Sequence, residues 1–299
     1  MTENTYSGPK QPFTIQLRRL SAFRSQIAFR DPRARSLRPS LVSQEGPKGP
    51  EFLVRGNFIL RDEYVVAKDQ GIHFCDITGD RNRIHVEGDV VPGAMTMSKT
   101  LLPVEVLMPD LELVDMNVKF TDLAVYGERT LSLFYFRYVA ESELEVEIST
   151  YQTQRLVAKT ILDMRLRVRD HSAEHMDEGR VNRAQLNAVK GYFRALEVDD
   201  MSYFQKNGHP DYTYPLSYVV SLPSGAMVKE MNGQGGSLNM LKFEFSGQRR
   251  PISGERGPRV RLERARARSS FNRITTEIVE GPTLYCRGSA IVNPKAKLR

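Results

Sequence analysis

The sequence predicts an α+β fold in which one long apolar helix packs on an antiparallel sheet, and predicts that unit twice. Three observations carry the prediction. Pro92-Gly93 opens a run of apolar residues, strand-like segments follow that run, and short motifs of the first half recur in the same order in the second.

The first 50 residues are rich in Pro, Ser and Arg, and their apolar positions break at Asp31-Pro32. They read as a basic, partly disordered N-terminal arm (1–50) that lays one short segment on the body. A membrane-surface, partner-binding or organelle-targeting role is the sharper alternative. From Glu51 the pattern changes. Residues 52–66 read as extended chain, and DQGIHFCD (69–76) as a short helix with Ile72 and Cys75 on one face. A polar loop follows, TGDRNRIHVEGDV. Then Pro92-Gly93 leads into AMTMSKTLLPVEVLM, an apolar helix whose proline is favourable in the first turn. Residues 113–120, 131–139, 144–152 and 156–168 are rich in β-branched and aromatic residues with stretches of period two, such as Leu131, Leu133 and Tyr135. The first unit therefore spans 51–168. The polar stretch 169–190 reads as a linker with a short helix near its end, and 191–299 as a second unit.

The second unit is inferred from echoes. Gly93-Ala94-Met95 recurs as Gly225-Ala226-Met227 at an offset of 132, and Val118-Lys119-Phe120 as Leu241-Lys242-Phe243 at 123. Gly127-Glu128-Arg129 recurs as Gly254-Glu255-Arg256 at 127. Each match is short; the shared order is what implies two copies of one fold. Two such sheets pairing edge to edge would cover exposed edge strands.

Composition narrows the function classes. The chain has 299 residues, 40% hydrophobic and 26% charged, enough to bury a core without staples. Its two cysteines, Cys75 and Cys286, form neither a disulfide framework nor a CxxC zinc site. No apolar run reaches the roughly 18–20 residues of a membrane-spanning helix. The expected setting is reduced, soluble and cytoplasmic. Of the net charge of +7, the first 50 residues carry +6, from nine Lys and Arg against three Asp and Glu. A nucleic-acid-binding domain would carry that excess on its folded body, so no nucleic-acid partner is expected. No Walker loop, GxGxxG or HExxH occurs, and neither cofactor nor metal is implied.

The densest chemistry lies in Gly79-Asp80-Arg81-Asn82-Arg83-Ile84-His85, followed by the helix start at Gly93. A carboxylate and an imidazole held together give and take protons near neutral pH. An unsatisfied N–H at a helix start binds a developing oxyanion. These parts suit adding or removing water across a double bond conjugated to a carbonyl.

ITGDRNRIH resembles the signature of the MaoC-like, or R-specific enoyl-thioester hydratase, family: a hydrophobic residue, then Ser/Thr-Gly-Asp-x-Asn-Pro-apolar-His. Thr78, Gly79, Asp80, Asn82, Ile84 and His85 match it. The upstream DQGIHFCD resembles the family's short lead-in helix, and Val118-Lys119-Phe120 with Val125-Tyr126-Gly127-Glu128 its following strand pair. The resemblance implies a double hotdog, each half a long helix wrapped by an antiparallel sheet. It implies hydration of trans-2-enoyl thioesters, or dehydration of (3R)-3-hydroxyacyl thioesters, carried by coenzyme A or an acyl-carrier protein. By position, Asp80 and His85 correspond to the proton-transfer pair, Asn82 to the motif asparagine and the Gly93 amide to the oxyanion donor. Asn82 reads equally well as a structural hydrogen bond within the loop. Arg83 replaces the family's proline, which would relax the loop or place a cation beside the carboxylate. The short segment between His85 and Gly93 predicts a changed, more open acyl pocket.

At the offset of 132, Asp80 falls opposite Tyr212 and His85 opposite Ser217, so the second copy lacks the pair and one site per chain is expected. The arginine run near the C-terminus puts Arg264, Arg266 and Arg268 on one strand face. It reads either as a solvated face or as a cradle, with Arg83, for the phosphates of the carrier. The remaining histidines, His73, His171, His175 and His209, have no partner pattern. Two other functions stay open, a hotdog acyl thioesterase and a non-catalytic acyl-binding scaffold, and the residues leave open whether two chains pair as a homodimer.

Overall fold

A computed structural model describes residues 13–16, 26–28, 40–46, 49–55, 57–108, 111–140, 143–152, 155–168, 182–198, 213–231, 237–247, 252, 257–266 and 272–293. The chain opens with β1 (Phe13–Gln16), β2 (Gln26–Ala28), β3 (Ser40–Gly46), β4 (Gly49–Arg55) and β5 (Phe58–Val65). Three helices follow, α1 (Lys68–Thr78), α2 (Arg83–Val86) and α3 (Gly93–Leu107). Next come β6 (Leu111–Phe120), β7 (Arg129–Ala140), β8 (Glu143–Gln152) and β9 (Arg155–Val168). The second part holds α4 (Arg183–Ala195), α5 (Leu216–Glu230), β10 (Ser237–Phe245), β11 (Arg259–Arg266), β12 (Asn272–Glu280) and β13 (Thr283–Asn293).

One ten-stranded antiparallel sheet runs β11-β12-β13-β10-β6-β9-β8-β7-β5-β2. The strands expected in the first unit all form, within a residue or two of the expected bounds at most ends. Their faces separate by period two: along β8, Leu144, Val146 and Ile148 are buried, while Glu145 and Glu147 point away from the core. On the outer face neighbouring strands pair opposite charges. Arg165 Nε donates to Asp115 at 2.6 Å, Arg167 Nε to Glu112 at 2.8 Å and Arg287 Nε to Glu277 at 2.9 Å. Such exposed pairs stabilise by only about 0.2–1 kcal/mol each, but they neutralise these three arginines where they stand.

The described parts of the arm are strands: β1 and β3 make a separate three-stranded sheet with β4, and β2 is a short segment laid on the body, extending the large sheet beyond β5. α4 begins inside the stretch read as a linker and packs on α1.

The inner face of the sheet carries α3 and α5. Both helices are buried almost all round, as their apolar sequences require. They lie against each other, with Ser98 Oγ donating to the Ser217 carbonyl at 3.4 Å. The sheet is continuous beneath them because β6 pairs with β10: Val118 faces Leu241, Asn117 faces Lys242 and Lys119 faces Met240. Outward from that joint the strands run β6-β9-β8-β7 on one side and β10-β13-β12-β11 on the other, the same chain order in both directions.

The frame suggested by the Gly-Ala-Met echo is corrected here. Gly93 opens α3, whereas Gly225 lies in the second half of α5, so an offset of 132 does not superpose the helices. An offset of 123 does: it takes α3 (93–107) onto α5 (216–230), the N-cap Pro92 to the N-cap Pro215, and Val118-Lys119-Phe120 to Leu241-Lys242-Phe243. In this frame Asp80 and His85 correspond to Tyr203 and Gly208, which lie outside the described residues and supply neither carboxylate nor imidazole.

Candidate active site

Gly79 ends α1 with φ of 77°, a left-handed conformation that a glycine adopts without strain. The chain reverses there and delivers Asp80. Asn82 then caps α2, its side-chain oxygen accepting from the Ile84 N–H at 3.3 Å. This cap makes a one-turn helix of what reads in sequence as a loop, and the helix turns His85 inward. Asp80 and Asn82 are each 2% exposed and His85 7%.

His85 is held at its ring and at its backbone. Its Nδ1 lies 2.9 Å from the Val90 carbonyl. A carbonyl only accepts, so Nδ1 carries a proton and Nε2 is the nitrogen presented to the site. Tyr126 donates its hydroxyl to the His85 carbonyl at 3.2 Å. Val90 is itself fixed by its bridge to Val125. Nε2 stands 3.9 Å from Asp80 Oδ2, too far for a direct hydrogen bond and near enough for one oxygen atom to touch both.

Asp80 is oriented from the far end of the chain. Ser224 on α5 donates its hydroxyl to Oδ2, while Oδ1 is buried with no hydrogen-bond partner among the described residues. The adjacent Gly225 allows this approach: a Cβ there would lie 2.1 Å from the Thr78 carbonyl oxygen and 2.7 Å from Gly79 carbon. Burial, with Asp80 nearby adding to it, holds the Cys75 thiol and the Tyr126 phenol well above their usual titration ranges. Both stay protonated beside the carboxylate.

Gly93 begins α3 next to this group. A Cβ at Gly93 would meet the Phe120 ring at 2.9 Å, so the ring packs on the helix start because no side chain intervenes. First-turn amides have no partner within their own helix. Gly93, Ala94, Asp80 and His85 together line a cavity of about 70 Å³. Its apolar wall comes from both parts of the chain: Ile84, Val90, Val91 and Phe120 from the first, and Met227 and Val228 of α5, Met231 just beyond it and Val292 of β13 from the second.

The structure thus brings together Asp80, Asn82, His85 and Gly93. It does not bring Arg83 to them. The Arg83 guanidinium pairs with Glu87 one turn on, at 2.7 and 2.9 Å, and its side chain is 70% exposed, so it is no cation beside Asp80. Arg264 and Arg266 lie on β11, the edge strand, and Arg268 lies outside the described residues. Arg266 pairs in register with Asn272, and Asn272 with Val292, so its backbone stands two strands from the cavity wall, about 10 Å away. Sequence reasoning missed Ser224 and Val228. The Gly225 echo drew attention to their segment, but for its match to Gly93 rather than for its contact with Gly79.

No protein-family model and no curated protein sequence matches the chain. Solved structures do. A MaoC-like dehydratase aligns over 80% of this chain and 97% of its own at a TM-score of 0.57 and 9% identity. A MaoC-like dehydratase from Phytophthora capsici aligns over 81% and 97% at 0.55 and 11% identity. The full-length peroxisomal multifunctional enzyme type 2 from Drosophila melanogaster aligns over 77% of this chain and 47% of its own at 0.52 and 12% identity. At such identities the likeness speaks for architecture, and it agrees with the motif: the chain has the hotdog fold of the MaoC-like dehydratases.

Proposed function

We propose that this chain is a double hotdog that adds water to trans-2-enoyl thioesters and removes it from (3R)-3-hydroxyacyl thioesters, with one site per chain. The observation that carries the reading is the buried pair of Asp80 and His85, 3.9 Å apart, opening on the cavity at the start of α3. In hydration, a water seated between Asp80 and Nε2 of His85 gives its oxygen to the β-carbon. One of its protons passes to the pair, and the pair returns a proton to the α-carbon, so the enzyme ends as it began. Negative charge gathers meanwhile on the thioester oxygen, and the Gly93 and Ala94 amides at the start of α3 donate to it. Ser224 donates to Oδ2, the carboxylate oxygen that faces Nε2, and so orients Asp80 toward the water seated between them. For the phosphates of the carrier, Arg266 is the favoured contact among the arginines, because its strand row ends at the cavity.

The test is turnover of crotonyl-CoA and longer enoyl thioesters, followed by loss of absorbance of the conjugated bond. Asp80→Asn should reduce it about 100-fold or more. Release of free thiol without loss of that absorbance would make the chain a thioesterase. Inertness of the wild type toward CoA and carrier-protein thioesters of several lengths would make it a binding scaffold.

A further inference from the structure

The start of α5 is occupied by the chain itself. Glu105, near the end of α3 and only 7% exposed, accepts from the Leu216 N–H at 2.7 Å through one carboxylate oxygen and from the Ser217 N–H at 2.9 Å through the other. A buried carboxylate is costly unless it is compensated. Two backbone donors and the positive end of the helix dipole are the compensation here.

The same offset of 123 that relates the bounds and N-caps of the two helices carries Gly93 to Leu216, Ala94 to Ser217 and Glu105 to Val228. The amides that Glu105 occupies on α5 therefore correspond to those that line the cavity on α3. In Glu105's place on α5 stands Val228, whose side chain has no acceptor and forms part of the wall of the cavity at the α3 start. We infer that Glu105 is an internal stand-in for the substrate's carbonyl oxygen. It seals the second helix start against a thioester, and the Glu105/Val228 difference determines which half of the molecule takes substrate. This deepens the proposed function and rests on its correspondence between the two halves. The sealing contact itself stands on the hydrogen bonds alone.

Two sets of variants test it, each read by amide hydrogen exchange of the full-length chain. In Glu105→Ala, exchange at the first turn of α5 should rise at least about tenfold, since a charged acceptor is lost from both amides. Glu105→Gln keeps one acceptor and should give an intermediate rise, which serves if the alanine variant does not fold. Unchanged exchange at Leu216 and Ser217 in either variant overturns the seal. In Val228→Glu, the new carboxylate should slow exchange at the first turn of α3 and reduce enoyl-thioester turnover about 100-fold. Val228→Met, of similar length but without an acceptor, should not slow that exchange. A Val228→Glu chain with unslowed α3 exchange, or with turnover near that of the wild type, overturns the correspondence. If the wild type turns over no thioester, the hydratase reading fails while the exchange measurements still decide this inference.

Discussion

Ser224 and Asp80 are separated by 144 residues and meet through one hydrogen bond. The hydroxyl holds the carboxylate oxygen that stands nearest His85, which makes Ser224 a positioning residue in the proposed reaction. Ser224→Ala should lower kcat by about tenfold with little change in KM, the scale of losing one hydrogen bond to a charged group. Ser224→Thr, which keeps the hydroxyl, should recover most of the loss. A rise in KM alone would mean that the serine shapes the pocket without orienting the carboxylate. Arg83 teaches the reverse lesson. Its position inside the motif suggests a role, but Glu87 four residues later claims its charge.

The elements around the site are short and held at their ends. α2 exists because Asn82 caps it, and it converts a polar loop into a device that points His85 inward. This structural task of Asn82 is visible in its hydrogen bond to Ile84. The α3 start is held by a close approach, with Phe120 lying where a Cβ of residue 93 would be. Gly93→Ala should therefore push the ring aside, lower the melting temperature by several degrees and reduce turnover, because the first-turn amides move with it. Replacing Phe120 by Leu in the same chain should restore part of the melting temperature. Thermal melts of the two single variants and the double variant measure that coupling; strict additivity would refute the contact.

At the scale of the molecule, the interior titrates at alkaline pH. Burial raises the Tyr64, Tyr126, Tyr192 and Tyr214 phenols and both cysteine thiols, and pushes Tyr218 up to about 12. Unfolded, these groups release their protons near about 8.5 for Cys and 10 for Tyr; folded, they retain them. The native state then binds more protons than the unfolded one, so stability falls as pH rises through that range. Urea unfolding at pH 8 and pH 10.5 should show a clearly lower midpoint at the higher pH. An unchanged midpoint would place these side chains in contact with water. Among the described residues no helix is long and apolar enough to cross a membrane.

What the sequence by itself determined is local. The strands β6 to β9, the helices α1 and α3 and the run from Gly79 to His85 are legible because period, capping and turn chemistry act within a few residues. What only the tertiary structure decided is long-range. The donor to Asp80, the part of the cavity wall from α5 and β13, the proposed seal by Glu105 and the frame relating the two halves join residues more than a hundred positions apart. A three-residue echo is too short to locate that frame: Gly-Ala-Met led to 132, where the bounds and N-caps of the two helices agree on 123. Backbone pattern sets which element forms; which side chains then meet depends on how two helices pack across one sheet, and no local pattern encodes that.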